Sequence, residues 1–547
     1  EGVKSKPVGW LKSTWRQEAF CYLGASYQAL DPSELEETDF HCSGNTDLFT
    51  GLLFLRVMVE EEEDLKSSGD MMEENEPKKG CSGALCTPIN WFKMLCVEMH
   101  WSFVMGVVVV YGINQGLGGA LSRVGTEYYM KDVQKVQPSE AQFYQGITSI
   151  PWLVKPLWGL LTDVLPIFGY RRRPYFIVAG SIGVISMLVL SFHEKLHIAL
   201  ALLSLTAGSA GVAVADVTID ACVAQNSINH PSLAADMQSL CALSSSLGAL
   251  LGFSVSGIFV HLIGPKGVYG LLAIPFGLVF LIGTLLKEPH SPNFAYTQVN
   301  QKFIDAGKAM WTTLKCPDVW RPCLYMYFSL ALSLNILDGM FYWYTDSKSG
   351  PSFSQENVGY IFSIGSVGSL LGAVLYQNVL KDHPFRDLLF WTQLVYSLSG
   401  TLDLMLVLRL NLKFGIPDYF FVVIDESSNG CLFLCLAQSF VLRESKELFF
   451  ALLMSIDNVG LLSATWGGGI LLHVLKVTRT QFDNLWLAIL IRNFLRLAPL
   501  CLLFLVPRVD PNSSILPTEI LNTKEDIETQ ETENIELVSL VNRVDDR

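Results

Sequence analysis

Asp216 and Asp220 stand four residues apart inside a long apolar stretch, so a helix would point both carboxylates from one face. A charge near the centre of a bilayer costs about 3 kcal/mol on insertion scales, so acids in a spanning segment call for a use or a partner. One carboxylate can accept two side-by-side N–H donors, and a second beside it suits the pair to carrying a proton. The alternative is a pair held by hydrogen bonds from neighbouring helices. Lys155 has a comparable apolar setting; it could hold a substrate carboxylate or pair with Asp163 or with one of these two acids, and the pairing is the preferred reading. Asp338, Asp425, Glu426 and Asp457 are the comparable acids later in the chain, with helix-end positions as the alternative for Asp338 and Asp425. Arg492 and Arg496, one turn apart, read as side chains that snorkel to a membrane surface. The run Phe341-Tyr342-Trp343-Tyr344 could stack on a flat ring, but it closes a span and reads first as an interfacial aromatic belt.

These residues belong to a chain of 547, 50% apolar and 16% charged, with a mean hydropathy of +0.36. A soluble domain carries about 25% charged residues, so a soluble protein of this size is excluded. The net charge of −14 belongs to the tails, because residues 81–510 hold 27 basic and 26 acidic groups. A nucleic-acid binder, a disordered chain and a secreted disulfide scaffold are disfavoured together. A spanning helix needs about 20 apolar residues. Runs of that kind occur at 99–121, 141–162, 175–193, 196–219, 238–262 and 268–286, then at 322–344, 357–380, 388–409, 416–441, 449–475 and 482–506. They are continuous and rich in Leu, Gly and Ser, unlike barrel strands. The expected fold is an all-α integral membrane protein of about twelve transmembrane helices in two six-helix halves.

The halves resemble each other. Gly248, Gly257 and His261 recur as Gly460, Gly469 and His473, each 212 residues later, and Gly159 recurs as Gly372, 213 later. The expected organisation is an acidic tail at 1–95, a first half at 96–287, a cytosolic linker at 288–321, a second half at 322–507 and an acidic disordered tail at 508–547. Basic residues favour the cytosolic side. Arg171-Arg172-Arg173 and the linker fall on one side, which puts both tails in the cytosol, while Arg123, Lys131 and Lys135 fall in a loop on the other. Met58, followed by Val59 and a run of acids, is the expected start of translation, with 1–57 not native.

Between the second and third runs lies Pro151-Trp152-Leu153-Val154-Lys155-Pro156-Leu157-Trp158-Gly159, leading to Thr162-Asp163, Gly169-Tyr170 and Arg171-Arg172-Arg173-Pro174. A Gly, an Asp four residues on and a basic cluster resemble the loop motif of the major facilitator superfamily. Physically the Gly allows close helix approach, and the Asp can cap a helix or pair with an Arg in a contact that biases one conformation. Val164 departs from the general motif, and the longer form with the Pro-Trp-x-x-Lys-Pro lead-in resembles the folate–biopterin transporter family in its plant-type form. Ala215-Asp216-Val217-Thr218-Ile219-Asp220-Ala221, Asp338-Gly339-Met340-Phe341 and Phe482-Asp483-Asn484-Leu485-Trp486 match it too, whereas Asp425-Glu426-Ser427-Ser428 matches less well.

The resemblance implies transport of folates or pterins, commonly proton-coupled, with parallel six-helix repeats around a midplane site. It makes Asp216, Asp220, Lys155, Asp338 and Asp425 candidates for substrate binding or proton coupling, and Gly159, Asp163, Arg171, Arg172 and Arg173 a conformational motif. The implied partners are a folate or pterin, protons and the lipid bilayer, with no nucleic acid and a monomeric chain. No cofactor or metal is expected, since there is no Gly-x-x-x-x-Gly-Lys, His-Glu-x-x-His or Cys-x-x-Cys. An enzyme is disfavoured because no nucleophile–base constellation stands out. A facilitator for another small organic solute, or a non-transporting receptor, are the alternatives. On this reading Asp220→Asn alters uptake or its pH dependence; uptake assays at two external pH values that show neither change exclude the assignment.

Overall fold

In the computed structural model the described residues are 83–506, apart from 194–195, 289, 291–303, scattered positions between 305 and 313, 381–382 and 440–446. Side chains at 83–89, 163–164 and 436–454, with a few isolated ones, lie outside the description as well. The tails, Met58, most of the 288–321 linker and the Asp163 side chain therefore lie outside the described residues.

The described elements are helical, organised as passes that we number α1 to α12. The first half holds α1 (Trp101–Val133), α2 in three pieces (Pro138–Thr148, Ile150–Leu153, Lys155–Val164), α3 (Arg173–Phe192) and α4 (Ile198–Asn229). The stretch Ala234–Leu285 follows, broken into α5 and α6 at Gly264, whose φ of 71° suits glycine and which precedes Pro265. The second half holds α7 (Pro317–Ala331 and Leu337–Tyr344), α8 (Gln355–Leu375), α9 (Phe385–Val407), α10 (Asp418–Ser439), α11 (Glu447–Val474) and α12 (Leu485–Leu505). Six helical segments among the described residues are long and apolar enough to cross a membrane unaided: α1, α3, α4, the α5–α6 stretch, α8 and α12. Phe192, Leu203, Ile470, Phe494 and Phe504 are among the large apolar side chains that stand exposed on the helices.

The breaks fall where the backbone cannot continue. Pro151 and Pro156 lack the N–H that an uninterrupted α2 would need. The carbonyl of Pro151 accepts instead from the Trp158 indole at 3.0 Å. In α7 the chain unwinds between Ala331 and Leu337, and the Asn335 amide donates to the Ala464 carbonyl of α11 at 3.0 Å. Gly468 permits that approach, since a β-carbon there would overlap the Asn335 carbonyl. Within α1, residues Val108–Gly118 wind as a π-helix. Gly112 and Gly116 set this wide segment against α5; a β-carbon on Gly116 would meet the Gly248 Cα at 2.9 Å.

The glycines that recur between the halves make equivalent contacts. Gly248 of α5 meets Gly112 of α1, and Gly460 of α11 meets Tyr327 and Leu330 of α7. Gly257 of α5 meets Gln355 and Glu356 of α8, as Gly469 of α11 meets Ser139 of α2. Gly159 faces Val217 of α4, and Gly372 faces Cys431 of α10.

The described contacts between halves run from mid-depth to the ends remote from the linker. Ser254 and Ser363 share a hydrogen bond of 2.9 Å, and Tyr342 donates to the Val136 carbonyl at 3.2 Å. Gln137 accepts from the Arg479 amide at 3.1 Å, and His261 lies 3.2 Å from Glu356. Tyr128 packs edge-on against Phe341 at 5.0 Å. Phe341, Tyr342, Trp343 and Tyr344 are all buried here, so this run plugs the seam and does not form a membrane-interface belt. Apolar length alone ends the first span near 121, whereas α1 continues to Val133 because Arg123, Glu127 and Lys131, four residues apart, follow one helical face turned to the second half.

Gly359 faces the Gly257 amide, where a β-carbon would stand 2.8 Å away. Gly359→Val is expected to keep this end of the seam apart and to lower transport. A disulfide between Ser254→Cys and Ser363→Cys should then form on the order of tenfold more slowly than in the parent pair; an unchanged rate would contradict this account of the seam.

Candidate functional site

Lys155 begins the last piece of α2, at the break imposed by Pro156, and its ammonium is thereby turned toward α4. There it pairs with the Asp216 carboxylate and, at 3.4 Å, with Asp220. The two acids project from one face of α4, as their spacing requires, and both are fully buried. The π-helical part of α1 supplies the remaining partners. Gln115 Nε2 donates to Asp216 at 2.5 Å, and the Tyr111 hydroxyl donates to Asp220. One cation, two carboxylates and two neutral donors thus meet across α1, α2 and α4.

A cavity of about 530 Å³ lies beside this cluster. It is walled by residues of the first half, and Asp338 of α7 is the lining residue contributed by the second half among the described residues. Asp216, Asp220 and Lys155 do not line it. Gln115 and Trp152 do, and they touch the cluster from the cavity side: Gln115 through Asp216, Trp152 through a ring 5.7 Å from the Lys155 ammonium. Farther along α1 the lining includes Arg123 and Glu127. The Glu127 carboxyl lies within hydrogen-bonding reach of Asp338, so two buried acids face each other across the boundary between halves. The Asp338 amide donates to Gln142 Oε1 at 3.1 Å.

Asp425 belongs to a separate cluster inside the second half. Arg492 of α12 donates to Asp403 of α9 at 2.5 Å, Asp403 lies within hydrogen-bonding reach of Asp425, and Asn429 donates to Asp425 at 2.7 Å. Arg496 stacks 4.2 Å over the Tyr396 ring and donates to Ser333 at 3.0 Å. Both arginines are buried partners of this cluster and do not snorkel. The 213-residue offset that carries Gly159 onto Gly372 carries Asp216 onto Asn429, one turn from Asp425.

At the loop between α2 and α3 the described contacts go to the first half and to the start of the linker, where Tyr170 packs edge-on against His290 at 5.0 Å. Glu288, just past α6, accepts from the amides of Arg171 at 2.6 Å, Arg172 at 3.0 Å and Arg173 at 3.0 Å, capping the start of α3. Arg172 donates to Thr162 at 3.1 Å, and Arg173 to the Thr284 carbonyl at 2.8 Å. A β-carbon on Gly159 would meet Val217 at 3.5 Å, the α2–α4 approach.

Sequence reasoning passed over Tyr111, Asn114 and Gln115, which apolar-run counting treats as the filling of a span. It also passed over Glu127, Asp403 and Glu288. The i, i+4 recurrence of Arg123, Glu127 and Lys131 was the available signal for a longer α1.

The fold aligns with a nucleoside transporter, NupG, at a TM-score of 0.54 and 15% identity, over 76% of this chain and 97% of that one. It aligns with a POT family transporter in complex with 5-aminolevulinic acid at 0.56 and 13%, over 76% and 96%. "Probable folate-biopterin transporter 2" of Arabidopsis thaliana is 61% identical over 90% of this chain and 100% of its own length. The "Folate-biopterin transporter" of Synechocystis sp. is 30% identical over 75% and 82%. The BT1 family model matches residues 115–520. With a twelve-pass helical body, a cavity bordered by both halves and relatives along nearly its whole length, the chain belongs to the BT1 family of membrane transporters.

Proposed function

We propose that this chain moves folates and related pterins across a membrane by alternating access between its two halves. The observation that carries the reading is the cavity bounded by the first half and Asp338, with a few polar side chains in a mostly apolar wall, in a chain 61% identical to a relative named as a folate-biopterin transporter. A pterin is flat and bears adjacent ring N–H and amino donors. Trp152 offers an apolar face, and Asn114, Gln115 and Glu127 offer acceptors in the same wall. The halves on this reading are 96–287 and 322–507, joined by a cytosolic 288–321 linker, with both termini cytosolic and the protein a monomer in the bilayer.

Proton coupling is assigned to the buried acids. Asp216 and Asp220 share one cation, so their charges are not matched one for one, and a proton taken or released there changes the balance around Gln115 and Trp152. Asp338 with Glu127 offers a second carboxyl pair, placed between the halves. Asp425 acts within its own cluster. Gly159 and Arg171–Arg173 hold the α2–α3 loop against α4 and the end of α6 while the halves rock.

Uptake of labelled folate and of a labelled pterin by cells expressing the full chain, at two external pH values, tests the function. Faster uptake at the lower pH is expected for at least one of them. Transport of neither, alongside transport of another organic solute, would overturn the reading. Lys155→Met leaves two buried carboxylates without their cation and is expected to cost about 3–5 kcal/mol of stability in detergent. Adding Asp216→Asn should recover part of that loss, and thermal unfolding of the purified variants measures both.

A further inference from the structure

Arg123 is placed where a charge is expensive. It lies inside α1, lines the cavity and is exposed to it. Lys155 and Arg492 are held by carboxylates, and Arg496, over the Tyr396 ring, still donates to Ser333. Arg123 is not so held: among the described residues no carboxylate stands within ion-pair reach, and its contact is the Phe362 ring of α8, 5.1 Å from the guanidinium. Glu127, Asp338 and Glu426 sit in its electrostatic field without touching it. A guanidinium seated over a ring keeps its N–H fork available for a bidentate acid.

At the other end of the same wall is Asn114. It is 3% exposed, and neither its amide oxygen nor its amide nitrogen has a hydrogen-bond partner, although it lines the cavity. A buried amide without partners is costly unless a ligand supplies them. Nine residues separate Asn114 from Arg123, which along a helix is roughly 13 Å. That spacing suits an elongated molecule with a hydrogen-bonding heterocycle at one end and an anion at the other.

We propose that Arg123 binds a carboxylate of the transported molecule while Asn114 reads the edge of its ring, so that the cavity selects a carboxylate-bearing pterin conjugate over a free pterin. The assignment rests on the pterin reading above and narrows it to the conjugated class. Arg123 is a specificity residue on this view, seated over the Phe362 ring.

The test compares uptake of folic acid with uptake of biopterin, which lacks a carboxylate, by the full-length chain and by Arg123→Gln and Arg123→Lys. The folate-to-biopterin ratio of kcat/KM is expected to fall by about tenfold or more in Arg123→Gln, as loss of a charge-assisted bidentate contact requires, and by less in Arg123→Lys. An unchanged ratio overturns the assignment, whether both uptakes fall together or neither does, because a purely structural or gating arginine scales both substrates alike. A parent chain that carries neither substrate overturns the pterin reading itself and this assignment with it. A parent that carries folate, with an Arg123→Gln variant that keeps the same ratio, overturns the assignment alone.

Discussion

Charge inside a low-dielectric body must be compensated locally, and the first half is built around one such compensation. Lys155 stands on α2 because Pro156 breaks that helix, Asp216 and Asp220 stand on α4, and Tyr111 and Gln115 stand on α1. No single helix satisfies the cluster. Removing the ammonium would leave two buried anions, and removing the π-helical donors would leave carboxylate oxygens bare. The cluster therefore ties three helices to one another alongside their apolar packing. The second half has its own arrangement, with Arg492 on α12 facing Asp403 on α9 and Asp425 on α10. The recurring glycines show that the backbones of the two halves repeat, while their buried charges do not.

Between the halves the logic changes. The seam carries Ser254 with Ser363, Tyr342 with a backbone carbonyl, and Phe341 packed against Tyr128 of α1. These are short-range contacts that can be exchanged as surfaces slide. Glu127 and Asp338 are the exception, two acids meeting where the cavity ends. The buried ion pairs named above lie within halves, while between them run hydrogen bonds, ring contacts and the more exposed His261–Glu356 and Lys131–Thr345 contacts.

Much of this was legible in the sequence. Apolar length located the spans, and the 212-residue offset of Gly248 and Gly257 pointed to contacts that prove equivalent. The four-residue spacing of Asp216 and Asp220 told which face they share, and an apolar Lys155 told that a partner must exist. What hydropathy could not supply was the end of α1. Arg123 and Glu127 terminate an apolar run on paper, yet in the fold they face an internal cavity, a second polar environment that a window average does not distinguish from water outside. The aromatic run at 341–344 was misread for a related reason: composition is the same for a lipid-facing belt and a protein-facing plug. Glu288 was invisible because its use depends on a contact more than a hundred residues away.

The π-winding of Val108–Gly118 gives α1 a property that an ordinary helix lacks. Bonds from each amide to the fifth residue back make a wider turn than the α-form, so the two forms place the same side chains at different angles about the axis. Asn114 and Gln115 lie in the π-wound part, whereas Arg123 and Glu127 lie beyond it on the same rod. Relaxation of one turn to α-geometry would change its twist and its rise together, so the two groups would turn against each other only with a shift of one helix end. The winding of α1 thus sets the angle at which the charge cluster stands to Arg123 and Glu127.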